Sequence, residues 1–154
     1  MRRSKLDKID KKILRDLQSN GRITNVELAN RAGISAPPCL RRVRALEKND
    51  YITSYHAKLN PQMLGYNVTV FALVKLSSQA KEDLKAFEEV VKNIPQVREC
   101  HLLAGEVDYI LKIVAEDWDK YQELHTNKLT NAPHVVSVKS SLACLLYTSP
   151  SPRD

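Results

Sequence analysis

The sequence predicts an α+β chain, with an N-terminal three-helix helix-turn-helix (winged-helix-like) domain and a C-terminal ferredoxin-like βαββαβ domain. Three observations carry that expectation. Residues 24–47, TNVELANRAGISAPPCLRRVRALE, read as two short helices broken at Gly33. Upstream, Leu6, Ile9, Ile13, Leu14 and Leu17 make one apolar stripe at helical spacing. Beyond Tyr66, apolar strand-like runs alternate with amphipathic helical segments in the order β-α-β-β-α-β.

The first helix carries the Leu6–Leu17 stripe, leaves Asp10, Lys11, Lys12, Arg15 and Asp16 outside it, and ends near Gly21; residues 1–5 are a loose basic arm. The second opens with a capping box, in which Thr24 accepts from an amide three residues on and Glu27 reaches back. Val26, Leu28, Ala29 and Ala32 give it an apolar side, and Gly33 supplies the left-handed residue of a tight turn. Ile34 is a buried turn residue and Ser35 a good N-cap. Pro37 and Pro38 fall in the first turn of the third helix, where a missing N–H costs little. In that helix Cys39, Leu40, Val43 and Leu46 should face inward, which leaves Arg41, Arg42, Arg44 and Lys48 on or near the opposite side. Tyr51–Leu59 is rich in β-formers and reads as a wing or a linking strand. Pro61 and Gly65 bracket the domain boundary, so we expect domains at 1–60 and 61–143.

The basic charge belongs to one end. Residues 1–60 hold 14 Lys and Arg against 6 Asp and Glu, whereas residues 61–154 hold 10 against 12, so net charges of +8 and −2 make up the +6 of the 154-residue chain. A polyanion partner for the N-terminal part is the simplest account. The basic residues form no juxtamembrane run, and no apolar stretch approaches the roughly 18 to 20 residues that span a bilayer. The opening MRRSKLDK lacks a signal-peptide core, so a cytoplasmic protein is expected. Cys39, Cys100 and Cys144 are widely spaced, which argues against a disulfide framework and against a zinc site; no metal or cofactor is expected.

In the C-terminal part, Val68–Leu76 reads as a strand and Ala80–Lys92 as a helix carried by Leu84, Phe87 and Val91. Val97–Ala104 and Val107–Ala115 form a hairpin joined tightly at Gly105-Glu106. Trp118–Leu129 is a second amphipathic helix, and Val135–Ala143 closes the pattern as a strand. With both helices on one face of the sheet, side chains around Phe71, Leu73 and Ile110 need cover on the other, which predicts a homodimer through this domain.

These segments together resemble the feast/famine, or Lrp/AsnC, transcription factors of bacteria and archaea. The likeness runs from Leu6 to about Ala143. It is carried by LDKIDKKILRDLQSNGRITNVELANRAGIS, PCLRRVRALE, YITSYHAKLNP and ECHLLAGEVDYILKI. The resemblance implies DNA binding by the N-terminal domain, an effector and oligomerisation role for the C-terminal one, assembly of dimers into rings that are often octamers, and response to amino acids.

An α-helix fits the major groove of B-DNA, with its N-terminal residues near base edges and flanking arginines on phosphates. Thr24, Asn25, Ser35, Pro37, Arg41, Arg42 and Arg44 are therefore the expected contacts to double-stranded DNA. The resemblance places the effector site at the G-x-x-D turn. Here that means His101, Leu103, Ala104, Gly105, Glu106, Val107, Asp108 and Tyr109, with turn amides for an α-carboxylate and the Asp108 carboxylate for an α-ammonium.

Two departures from the family pattern stand out. Pro37 replaces a common hydroxyl residue and removes a backbone donor, and residues 144–154, CLLYTSPSPRD, read as a non-native or disordered tail. A stand-alone amino-acid sensor, or a metabolic enzyme with a ferredoxin-like domain, is the competing class. His56, His101, His125 and His134 show no metal spacing, and neither a phosphate loop nor a G-x-S-x-G elbow occurs, so no enzymatic role is expected.

Overall fold

A capping box starts the first helix, α1 (Lys8–Ser19): the Asp7 carboxylate accepts from the Asp10 amide at 2.8 Å, and the Asp10 carboxylate accepts from the Asp7 amide at 3.2 Å. The computed structural model describes residues 5–144, which divide between Lys58 and Leu59 into two compact units. The expected non-native tail lies outside the described residues, apart from the exposed Cys144.

In the first unit α1 is followed by α2 (Asn25–Ala32) and α3 (Ala36–Lys48). Gly33 ends α2 in the left-handed region at φ 72°, as the turn requires. Ile13, Leu28, Ala29, Cys39 and Leu46 form the core, with Leu6, Ile9, Leu14, Leu17 and Val43 packed around it. Three expectations are corrected here. Val26 and Leu40 face outward, at 61% and 38% exposure. Asp16 is buried rather than outside the stripe, because Arg31 of α2 donates to its Oδ1 at 2.8 Å. Finally, no strand forms over Tyr51–Leu59. Instead Asp50 takes a left-handed conformation at φ 58°, the amides of Tyr51 and Ile52 return to the Leu46 carbonyl, and residues 53–60 run exposed. A β-rich composition makes a strand only where a ladder partner exists.

The second unit is an antiparallel sheet in the order β2-β3-β1-β4. Its strands are β1 (Val68–Leu76), β2 (Val97–Leu102), β3 (Tyr109–Ala115) and β4 (Val135–Leu142). This is the expected split βαβ arrangement, with α4 (Lys81–Lys92) and α5 (Trp118–Leu124) as its helices. Alternate residues Val70, Ala72, Val74 and Leu76 of β1 and Tyr109, Leu111, Ile113 and Ala115 of β3 bury against Phe87 and Val91 of α4 and Tyr121 and Leu124 of α5. The intervening residues line the other face: Leu73 sits opposite Ile110, which in turn sits opposite His101. The helix expected over Trp118–Leu129 changes type partway, since His125–Leu129 is a π-helical turn.

Candidate DNA interface and effector loop

The start of α3 is unusual in its hydrogen bonding. Ser35 occupies the N-cap with extended backbone, yet its hydroxyl makes no cap bond. A capping hydroxyl accepts from the amides at the second or third helical position. In α3 those positions are Pro37 and Pro38, which have none. The good N-cap expected of Ser35 is therefore corrected. The same two prolines leave its exposed hydroxyl unused at the end of the helix.

From there, Pro37, Arg41, Arg44 and Lys48 recur at spacings of four, three and four, so they share one face of α3, and all four are exposed. Arg41, Arg44 and Lys48 have no ion-pair partner among the described residues. Lys48 was not among the expected contacts, although its place four residues after Arg44 marks it. Three flexible cations and a free hydroxyl along one rod form a surface suited to phosphates and base edges.

The other expected contacts have work inside the domain. The Thr24 hydroxyl accepts from the Glu27 amide at 3.2 Å, and the Glu27 carboxylate accepts from the Thr24 amide at 3.3 Å. Asn25 donates from Nδ2 to the Ala36 carbonyl at 2.9 Å, which ties the start of α3 to the start of α2. Arg42 turns back to α1 and donates from Nη1 to Asp7 Oδ2 at 2.7 Å and to Asp10 Oδ1 at 2.8 Å. The Asp10 amide and the Arg42 guanidinium together hold the Asp7 carboxyl below its ordinary range. One Arg42 guanidinium thus serves two carboxylates of its own chain.

In the second unit the tight Gly105-Glu106 turn is also corrected. The strands end at Leu102 and restart at Tyr109, and a six-residue loop, 103–108, is closed by the Leu103 amide donating to the Asp108 carbonyl at 2.8 Å. Asp108 is buried, and its carboxylate is occupied: Oδ2 accepts from the Leu76 amide at 2.7 Å and Oδ1 from Gln79 Nε2 at 3.2 Å. In the chain as it stands, Asp108 anchors the end of β1. Tyr109 likewise points inward, its ring tilted 37° against that of Phe87 at 4.8 Å between centroids, with its hydroxyl donating to Glu88 at 2.7 Å; burial raises its pKa further than any other cause. Ala104, Gly105 and Glu106 are exposed, and Leu103 and Val107 half-buried. His101 lies on the sheet face, 3.1 Å from Glu99, which Lys112 also meets at 3.1 Å. Gln79 and Glu88, which brace the loop, had no sequence signal, because they lie 29 and 21 residues from the groups they hold.

Residues 6–53 match the family model described as winged helix-turn-helix DNA-binding, and residues 69–146 match the one described as the Lrp/AsnC ligand binding domain. The chain is 49% identical over 140 residues to the leucine-responsive regulatory protein of Rhizobium meliloti, covering 91% of this chain and 90% of that one. It is 42% identical over 140 residues to the Bkd operon transcriptional regulator of Pseudomonas aeruginosa, covering 91% and 92%. Among solved structures, a transcriptional regulator of Neisseria meningitidis in complex with L-Met superposes with a TM-score of 0.89 at 35% identity, covering 96% and 97%. An AsnC family transcriptional regulator of Agrobacterium tumefaciens gives 0.85 at 33%, covering 94% of each chain. With a DNA-binding helix-turn-helix unit ahead of a ligand-binding sheet domain along nearly its whole length, this chain belongs to the Lrp/AsnC family of transcriptional regulators.

Proposed function

We propose that this regulator reads duplex DNA with the exposed stripe of α3, as a dimer that sets two such helices in successive major grooves, and that an amino acid bound at the 103–108 loop biases how dimers pack. The observation that carries the reading is the alignment of Arg41, Arg44 and Lys48 on one exposed face of α3, with the exposed Ser35 hydroxyl at the start of the helix making no cap bond. Two-fold pairing makes the sites pseudo-palindromic, with half-sites about one helical turn apart.

Pairing is supported by the half-buried Phe71, Leu73 and Ile110 on the sheet face away from α4 and α5. The effector reading rests on the exposed Ala104–Glu106 segment, whose backbone amides can hold a carboxylate, and on the L-Met bound by the Neisseria meningitidis relative. Within the loop, direct contact falls to residues 103–107 and His101, while Asp108 and Tyr109 brace them from inside. Effector control requires different affinities for the two assemblies. No described helix is long and apolar enough to cross a membrane, and a partner of duplex DNA fits a cytoplasmic location.

A mobility-shift titration on the DNA upstream of the protein's own gene, repeated with pooled amino acids, tests this reading. Retarded complexes whose pattern changes with the pool are expected. Absence of any complex at low salt would reject the DNA reading, and a pattern indifferent to the pool would reject the effector reading.

A further inference from the structure

We infer that Pro37 and Leu40 are specificity-determining residues of α3, an apolar step on its basic face that reads thymine methyl groups in the major groove. The inference rests on the proposed entry of α3 into that groove, and it names the base edges that the first turns of the helix prefer.

Pro37 and Leu40 are three residues apart, so they are neighbours on the helix surface, and both are exposed. Pro37 heads the stripe of Arg41, Arg44 and Lys48, and Leu40 lies at its edge, four residues before Arg44. On its inner side Leu40 lines a small groove with Val43 and Tyr55, yet 38% of it stays open. Phosphate oxygens offer nothing to an apolar pair set among cations. Of the base edges in the major groove, only that of thymine carries an apolar group, its C5-methyl.

Backbone chemistry at the start of α3 removes the usual alternative. A helix N-terminus ordinarily holds a phosphate on its free amides. Here the second and third helical positions are Pro37 and Pro38, which have no N–H, and the Cys39 amide donates to the Ser35 carbonyl at 3.3 Å. At most the Ala36 amide is left for an anion. The turn is also held in place, because Asn25 donates from Nδ2 to the Ala36 carbonyl at 2.9 Å. Three residues at about 1.5 Å each set Pro37 and Leu40 about 4.5 Å apart along the helix, near the roughly 3.4 Å step between base pairs. The two side chains therefore meet adjacent pairs, and each half-site should carry thymine there.

Mobility-shift titration of the DNA upstream of the protein's own gene, prepared with thymidine or with deoxyuridine throughout, tests the inference. Uracil lacks only the 5-methyl group, so base pairing and phosphates are unchanged. Wild type should bind the uracil duplex on the order of tenfold more weakly, from a loss of about fourfold for a methyl in each of two half-sites. That preference should fall toward onefold in Pro37→Ala/Leu40→Gln and fall partly in Pro37→Ala, with the salt slope of affinity unchanged. Melting temperature checks that the helix-turn-helix persists, and Pro37→Ala alone carries the test if Leu40→Gln unsettles the fold. Equal affinity of wild type for the two duplexes would overturn the methyl reading and leave groove entry standing. An equal loss in wild type and variants would assign the effect to DNA shape and also overturn it. Failure to bind either duplex at low salt would overturn both readings.

Discussion

Arg42, the middle arginine of α3, is joined to Asp7 at the cap of α1 at 2.7 Å, with Asp10 sharing the same Nη1 at 2.8 Å. The pair crosses 35 residues of sequence and fastens α3 to the first turn of α1. Arg42→Ala should therefore lower the thermal stability of the N-terminal unit. It should also weaken DNA binding indirectly, by loosening the presentation of Arg41 and Arg44. Asp7→Asn combined with Arg42→Ala should cost little more than Arg42→Ala alone, and strictly additive melting shifts would refute the coupling.

The two caps of the helix-turn-helix should respond in opposite ways. Thr24→Ala removes a complete capping box and should cost about 1 kcal/mol. Ser35→Ala should leave chemical denaturation unchanged within about 0.5 kcal/mol, because no amide meets its hydroxyl. A loss in DNA affinity without a loss in stability is the expected signature at Ser35.

Asp108→Ala should destabilise the sheet domain by about 1–3 kcal/mol, since it strands the buried Leu76 amide. Urea denaturation without ligand measures this. A variant of full stability that merely fails to bind an amino acid would instead restore Asp108 to direct ligand contact.

Acid should weaken the N-terminal unit through Asp16. Its pKa lies below the ordinary 3.8, chiefly because Arg31 hydrogen-bonds the carboxylate. A folded pKa below the unfolded one means that the unfolded chain binds more protons between them. The stabilisation is then complete above the unfolded value and is lost as pH falls through the folded one. Melting temperature should drop below about pH 4, and Asp16→Asn should flatten that drop.

How far the residues spoke for themselves follows from the range of each interaction. Thr24 and Glu27, or Gly33 and the turn it makes, act within a few positions, and so the helix-turn-helix was legible. The alternation in β1 and β3 likewise announced a sheet with one covered face. The partners of Arg42, Asp16 and Asp108 were not legible for one reason: each looks like a solvated charge locally, and its partner arrives from 15 to 35 residues away. Val26 and Leu40 were assigned to the core because composition marks them apolar, but a short helix offers only one narrow stripe to so small a core. The 51–59 segment has strand composition and joins no sheet ladder among the described residues.

The central claim is that the exposed stripe of α3 grips DNA phosphates while Arg42 holds the helix in place. The salt dependence of DNA affinity, measured by fluorescence anisotropy for Arg41→Ala, Arg44→Ala and Arg42→Ala, separates those roles directly. Removing a phosphate contact should reduce the slope of log affinity against log salt by about one. The account predicts that reduction for Arg41 or Arg44 and an unchanged slope, with weaker binding, for Arg42. A slope that falls only with Arg42, and not with either neighbour, would contradict it.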